Sequence, residues 1–155
     1  MTEINAVSHA LINRVPLKIK MLHPEALLPT RATSGSAGFD LYTIEDVELK
    51  PIPGGTTVRT GIAVELPPGY EIQVRGRSGL AFRDDIIIHF GTIDQDYRGE
   101  IRLRLWNLGA KPKWIKRGER VAQMIVKKTE EVCLIETSEL ERSERGSGGF
   151  GHTGR

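Results

Sequence analysis

Short runs of alternating apolar and polar residues fill most of this 155-residue chain. Leu17-Lys18-Ile19-Lys20-Met21, Val47-Glu48-Leu49, Tyr70-Glu71-Ile72-Gln73-Val74-Arg75 and Ile101-Arg102-Leu103-Arg104-Leu105-Trp106 all repeat with period two. That period turns one set of side chains to a core and the other to water, as in a half-buried strand. Further strands are predicted over Phe39–Tyr42, Thr57–Leu66, Ile86–Ile88, Gly91–Asp94 and Arg120–Lys127. Proline and glycine interrupt the pattern at Pro24, Pro29, Pro51 to Gly55, Pro67 to Gly69 and Gly99. Between Leu17 and Val126 no stretch keeps helical periodicity for the ten or so residues a long helix requires. Only Leu80 to Asp85 and the two ends have room for a short helix. Many short strands separated by turn signals predict a mainly β fold, a jelly-roll-like sandwich or barrel.

Composition narrows the class. The length suits one domain, and a single core of this size buries roughly 68–70% of the unfolded chain's surface without disulfides or a structural metal. We place a mobile arm at residues 1–15, the β domain at 16–138 and a C-terminal arm at 139–155. The net charge of +2 is too small to propose nucleic-acid binding without a basic motif. Cys133 is the sole cysteine, so neither an intramolecular disulfide nor a zinc cluster is available. Apolar runs fall far short of the ~18 residues of a membrane span, and the N-terminus lacks the features of an export signal. The expectation is a soluble, cytoplasmic protein with no membrane or nucleic-acid partner.

Five segments are poor for packing and good for binding. In Ser36-Ala37-Gly38-Phe39-Asp40-Leu41, a carboxylate sits among apolar β residues, where it must be paired, bound to metal or holding a turn. Gly76-Arg77-Ser78-Gly79 combines exposed N–H groups, a hydroxyl and a forked cation, which make either an anion site or a polar hairpin loop. The stretch from Gly91 to Glu100 (GTIDQDYRGE) sets acidic residues and Tyr97 between two glycines, where backbone can approach a flat ligand or simply turn. Arg117 to Ile125 carries Gln123 in an apolar strand, as a ligand group or a satisfied core amide. The tail from Arg145 onward is glycine-rich with one aromatic, Phe150, which suits a flexible end or a lid over a base and its phosphates.

Together and in this order, the strings SAGFDL, GRSGLA, GTIDQDYRGE, RGERVAQM and RGSGGFG resemble the five motifs of the trimeric deoxyuridine triphosphate nucleotidohydrolases (dUTPases). The likeness runs from about Leu17 to Arg155. It implies a β jelly roll, a homotrimer with active sites shared between subunits, and hydrolysis of dUTP to dUMP and pyrophosphate with Mg²⁺ held mainly by the triphosphate. By resemblance, Asp94 activates the attacking water. Arg77, Ser78, Gly79 and Gln123 contact phosphate, and Asp40 supports Arg77 or reaches the metal through water. Gly91, Thr92 and Ile93 belong to the hairpin whose main chain reads uracil, Tyr97 packs beneath the deoxyribose, and Arg102 joins the substrate-binding set. Arg145 clamps the terminal phosphate, Phe150 stacks on the base, and Gly151 and His152 add contacts from the lid.

Three features depart from the family pattern. The segment from Leu80 to Gly91 is shorter, and Ile88 or His89 stands where an Asn is usual. Gly76 also takes a place where proline is common. The alternatives are a deaminase of dCTP built on the same jelly roll, or a non-catalytic β-sandwich protein that senses nucleotides. The first lacks a reason for the RGSGGFG ending, and the second lacks one for Asp94, Tyr97 and Phe150 in one chain.

Overall fold

The computed structural model describes residues 14–149. Phe150, Gly151, His152 and nearly all of the N-terminal arm lie outside them. The described residues contain eleven strands and one short helix. They are β1 (Lys18–Met21), β2 (Phe39–Tyr42), β3 (Val47–Leu49), β4 (Thr56–Arg59), β5 (Ile62–Glu65), β6 (Tyr70–Arg75), α1 (Ser78–Asp84), β7 (Ile86–Ile88), β8 (Gly91–Ile93), β9 (Arg102–Asn107), β10 (Lys113–Ile115) and β11 (Arg120–Lys128). Every pairing within the sheets is antiparallel: β1 with β5, β3 with β10, a four-stranded sheet in the order β2-β11-β6-β8, and a three-stranded sheet β4-β9-β7. No described helix is long and apolar enough to cross a membrane.

The period-two reading selects the core correctly. On β9, Leu103 and Leu105 face inward while Arg102 and Arg104 face out. On β6, Ile72 and Val74 are buried, and they meet Leu41, Val58, Ile62, Ile101 and Met124 in one continuous cluster. Burying each such side chain contributes about 1.5–3 kcal/mol before entropy is counted. On β11 the register shifts between Arg120 and Ala122. This bulge lets Val121 and Ala122 both be buried, which strict alternation forbids.

Three elements differ from the sequence reading. The run Thr57–Leu66 is two strands, because Gly61 adopts φ +68° and turns the chain from the β4 sheet into the β5 sheet. Thr60 Oγ1 fixes this corner by donating to the Ile101 carbonyl at 2.6 Å. Strand β10 was not predicted. It follows from Asn107, fully buried, whose Nδ2 donates to the carbonyls of Leu49 at 2.9 Å and Lys111 at 2.8 Å. Those bonds draw the 108–112 loop against the end of β3, so that Lys113–Ile115 pairs with it. Finally, α1 begins at Ser78, so Ser78 and Gly79 form a first helical turn and not a hairpin loop.

After β11 the chain from 129 to 149 contains no strand or helix and is exposed nearly throughout, Leu134 and Ile135 included.

The corner at Gly61 yields a stability prediction. A Cβ there would lie 3.0 Å from both Ala26 Cβ and Ile44 Cγ2, and an L side chain resists the left-handed backbone. Gly61→Ala should therefore destabilise the fold by about 1–3 kcal/mol. Urea unfolding measures this, and an unchanged midpoint at constant slope would contradict the packing described.

Candidate active site

The first of two concave sites is built at one end of the four-stranded sheet. Asp40 on β2 and Gln123 on β11 are directly opposed in register. Gly38 lets them approach, since a Cβ there would run into the Gln123 side chain. Arg77 follows β6 in extended conformation and occupies the cap position of α1. Its Nε donates to Asp40 Oδ1 at 3.1 Å and its Nη1 to the Arg120 carbonyl at 2.9 Å. Arg120 Nη1 in turn donates to Asp40 Oδ2 at 3.2 Å. One carboxylate, with a side chain only 12% exposed, thus holds two guanidinium groups. Burying that charge is tolerable because it is paired, and the pair leaves a net positive wall.

Gln123 Nε2 donates to the Gly76 carbonyl at 2.9 Å, tying the strand to the turn before Arg77. The first-turn N–H groups of Ser78 and Gly79 have no acceptor within a helix. These residues line a cavity of about 190 Å³ with Ser36, Gly38 and Arg120. Its donors and cations suit a polyanion. Of the roles open to Asp40, support of Arg77 is the one this geometry displays. Gln123 is both a bonded amide and a lining residue. Arg120 went unremarked in the sequence, although it stands within the RGERVAQM string.

The second site is a slot. The chain from β8 to β9 reads as a hairpin, yet β8 pairs only with β6, while β9 pairs with β4 and β7. The outer edge of β8 is therefore without a strand partner among the described residues, whereas β9 carries β4 on one edge and β7 on the other. Between β8 and β9 lies a cavity of about 270 Å³, lined by Gly91, Thr92, Ile93, Asp94, Tyr97 and Arg102 together with Val74, His89, Glu100, Ile101, Leu103 and Arg104. A flat ring with donors and acceptors along one edge could hydrogen-bond to the open edge of β8 as a further strand would.

The turn closing the slot is well fixed. The Tyr97 N–H donates to the Asp94 carbonyl at 3.2 Å, and Arg98 Nη1 donates to the carbonyls of Gln95 at 2.6 Å and Tyr97 at 2.9 Å. Tyr97 donates its hydroxyl to the Glu100 carbonyl at 3.0 Å, and its ring lies so close to Gly99 that a Cβ there would strike it. Asp94 is exposed at the slot's rim, and its carboxylate makes no hydrogen bond or ion pair with any described residue. Burial pushes the Glu100 carboxyl up, but donors from Arg59, Gly61 and Arg102 outweigh it and hold the group below its ordinary range. His89, one of the two residues near the place of the expected Asn, also borders the slot.

Asp94 and Arg77 stand at opposite ends of β6, although the slot's lining runs along the strand as far as Val74. Ile93 pairs with Ile72, so Asp94 falls beside Glu71, and Gln95 Oε1 accepts the Gly69 N–H at 3.3 Å. Arg77 lies beyond Arg75 at the other end. At ~3.3 Å per residue the two functional groups are separated by roughly 20 Å of extended chain. Their linings share no residue. Arg145 lines neither cavity. It belongs to an exposed turn in which its carbonyl accepts the Gly148 N–H at 3.0 Å.

A cradle for a polyanion and a slot for a polar flat ring, on one β scaffold, define a nucleotide-binding protein. Comparison with known proteins makes the class specific: the dUTPase family model matches residues 24–154, and the chain belongs to that family. It is 48% identical over 140 residues to a deoxyuridine 5'-triphosphate nucleotidohydrolase of Helicobacter pylori, covering 89% of this chain and 96% of the relative. A Wolinella succinogenes protein of the same name is 42% identical over 146 residues, covering 93% and 97%. Among solved structures, a Staphylococcus bacteriophage 80alpha dUTPase with dUpNHpp superposes with a TM-score of 0.85 at 27% identity, covering 90% of this chain and 99% of the phage chain. The fold is the mainly β fold of those neighbours.

The cradle can be tested without chemistry. Gly38→Ala should fold, because what the new methyl group meets is chiefly a flexible side chain, but it must push the Gln123 amide aside. Hydrogen bonds to charged groups contribute about 1.5–3 kcal/mol. Calorimetric titration with a nucleoside triphosphate should therefore show affinity reduced about tenfold or more, and unaltered affinity would remove Gln123 from the cradle.

Proposed function

We propose that this chain hydrolyses dUTP to dUMP and pyrophosphate, as a homotrimer whose active sites are each assembled from more than one copy. The observation that carries the second half is the separation along β6. A slot that holds base and sugar and a cradle that holds phosphates must meet on one nucleotide, and within one chain they face different places. A neighbouring copy brings its cradle to this copy's slot. Family membership and the H. pylori and W. succinogenes relatives support the reaction.

In this reading uracil enters between β8 and β9, where the main chain of Gly91 to Ile93 presents fixed donors and acceptors. Cytosine carries the wrong order, and thymine's methyl group meets backbone. Tyr97 lies under the sugar and leaves no room for a 2′-hydroxyl. Asp94, at the rim with a free carboxylate, hydrogen-bonds a water and accepts its proton as the oxygen attacks the α-phosphorus. The bond to the bridging oxygen breaks, and pyrophosphate departs with its charge spread over Arg77, Arg120 and the N–H groups of Ser78 and Gly79. Arg145 and the tail residues Phe150, Gly151 and His152 complete the enclosure as a lid.

Both Asp40 oxygens are engaged by arginines, so a Mg²⁺ carried by the triphosphate, whose charge it would neutralise, would be reached by Asp40 through water. The product dUMP would feed thymidylate synthesis in the cytoplasm, and the same reaction would lower dUTP.

Pyrophosphate release from dUTP, UTP, dTTP and dCTP tests the assignment. dUTP should be cleaved with strong preference. Asp94→Asn keeps the size and removes the proton acceptor, so turnover should fall at least ~10²-fold while binding of a non-hydrolysable dUTP analogue persists. Near-normal turnover in that variant would transfer the role to Asp96 or Asp40, and ammonia release from dCTP would replace the reaction altogether.

A further inference from the structure

We infer that Glu100 is a positioning residue that sets the sugar wall of the slot, acting through the Tyr97 hydroxyl. The inference rests on the proposed reading of the slot as the deoxyuridine site. The Glu100 side chain is only 8% exposed, and its carboxylate is fully engaged. Oε1 accepts the Gly61 N–H at 2.9 Å, Arg59 Nε reaches both oxygens at 3.1 Å, and Arg102 Nε reaches Oε2 at 3.3 Å. These donors come from β4, from the β4–β5 corner and from β9. They fix the residue from three elements at once.

The main chain of that same residue does a second job. Its carbonyl accepts the Tyr97 hydroxyl at 3.0 Å, the only side-chain hydrogen bond of Tyr97 among the described residues. Glycine at 99 lets the ring fold back onto this carbonyl. Tyr97 is otherwise half-exposed. The ring's place is therefore decided by where the Glu100 carbonyl stands, and that is decided by the carboxylate's anchors. Donors outweighing burial keep the carboxyl below its ordinary range, so the anchor stays ionised at neutral pH.

An amide cannot substitute. Glutamine at 100 offers one oxygen to three donor groups and turns its own NH₂ toward guanidinium groups, which are donors only. With Arg59 or Arg102 released, the carbonyl shifts, the ring tilts and the floor of the slot opens to a 2′-hydroxyl. Selectivity against ribose should then weaken through a lower KM for UTP, and not through a general loss of turnover.

Steady-state kinetics with dUTP and UTP on the full chain, Glu100→Gln, Tyr97→Phe and the double variant decide the matter. Glu100→Gln should lower the dUTP-to-UTP ratio of kcat/KM by about 2- to 10-fold, the effect of losing one ordinary hydrogen bond. Tyr97→Phe keeps the ring and loses the anchor, so it should lower the ratio by a similar factor. The double variant should be no worse than either single one, because both cut the same link. Should Glu100→Gln fold poorly, Arg59→Gln removes one anchor and leaves the carboxylate, and a smaller change of the same kind is expected. An unchanged ratio in these variants, an equal fall for both nucleotides, or multiplying effects would overturn the inference while leaving the proposed reaction intact. A wild-type protein without preference for dUTP would overturn both.

Discussion

Backbone pairing along β6 is the constraint on which the rest depends. One edge of the strand carries β11 and the other β8, each in a single register enforced by the burial of Ile72 and Val74. A slip of one residue would turn both to solvent and bring Glu71 and Gln73 into the core, at a cost no surface contact could offset. That register sends Asp94 and Tyr97 to one end of the strand and Arg77 to the other. The placing of these side chains is thus a consequence of hydrophobic alternation, and the proposed sharing of the site between copies rests on the length of the strand.

Two carboxylates organise the two sites in the same way. Asp40 holds Arg77 and Arg120, and Glu100 holds Arg59 and Arg102. In each case a mostly buried anion is satisfied by two guanidinium groups, which fixes orientation more than it adds stability. The outcomes differ because the surroundings differ. Around Asp40 the arginines face a cavity and are available to an anionic ligand. Around Glu100 the Nε groups of both arginines hold the carboxylate of the residue whose main-chain carbonyl accepts the Tyr97 hydroxyl, while Arg102 also lines the slot. Asp94, by contrast, has no partner among the described residues, which suits the role of proton acceptor proposed for it.

Much of this was legible in the residues themselves. Period-two alternation in the segments that became β6 and β9 located both strands and the inward set, since side-chain direction is local information. The grouping of Asp40, Arg77 and Gln123 came from resemblance, and coordinates were needed to show that β2 and β11 set two of them in register. The break at Gly61 was hidden because Thr57–Leu66 alternates acceptably on both sides of one glycine. β10 was hidden for a different reason: its three residues are recruited by Asn107, a tertiary interaction with no local signature. Arg120 and Glu100 stood inside recognised strings, but nothing in a string distinguishes a ligand group from the group that holds it.

Mixing two inactive variants tests the division of the site most directly. Chains carrying Asp94→Asn have an intact cradle, and chains carrying Arg77→Ala have an intact slot. Co-refolded at equal amounts, they should recover dUTP hydrolysis, with about a quarter of the sites in a cyclic trimer pairing a working slot with a working cradle. A mixture no more active than the sum of the two variants alone would place both halves of the site in one chain and contradict the account.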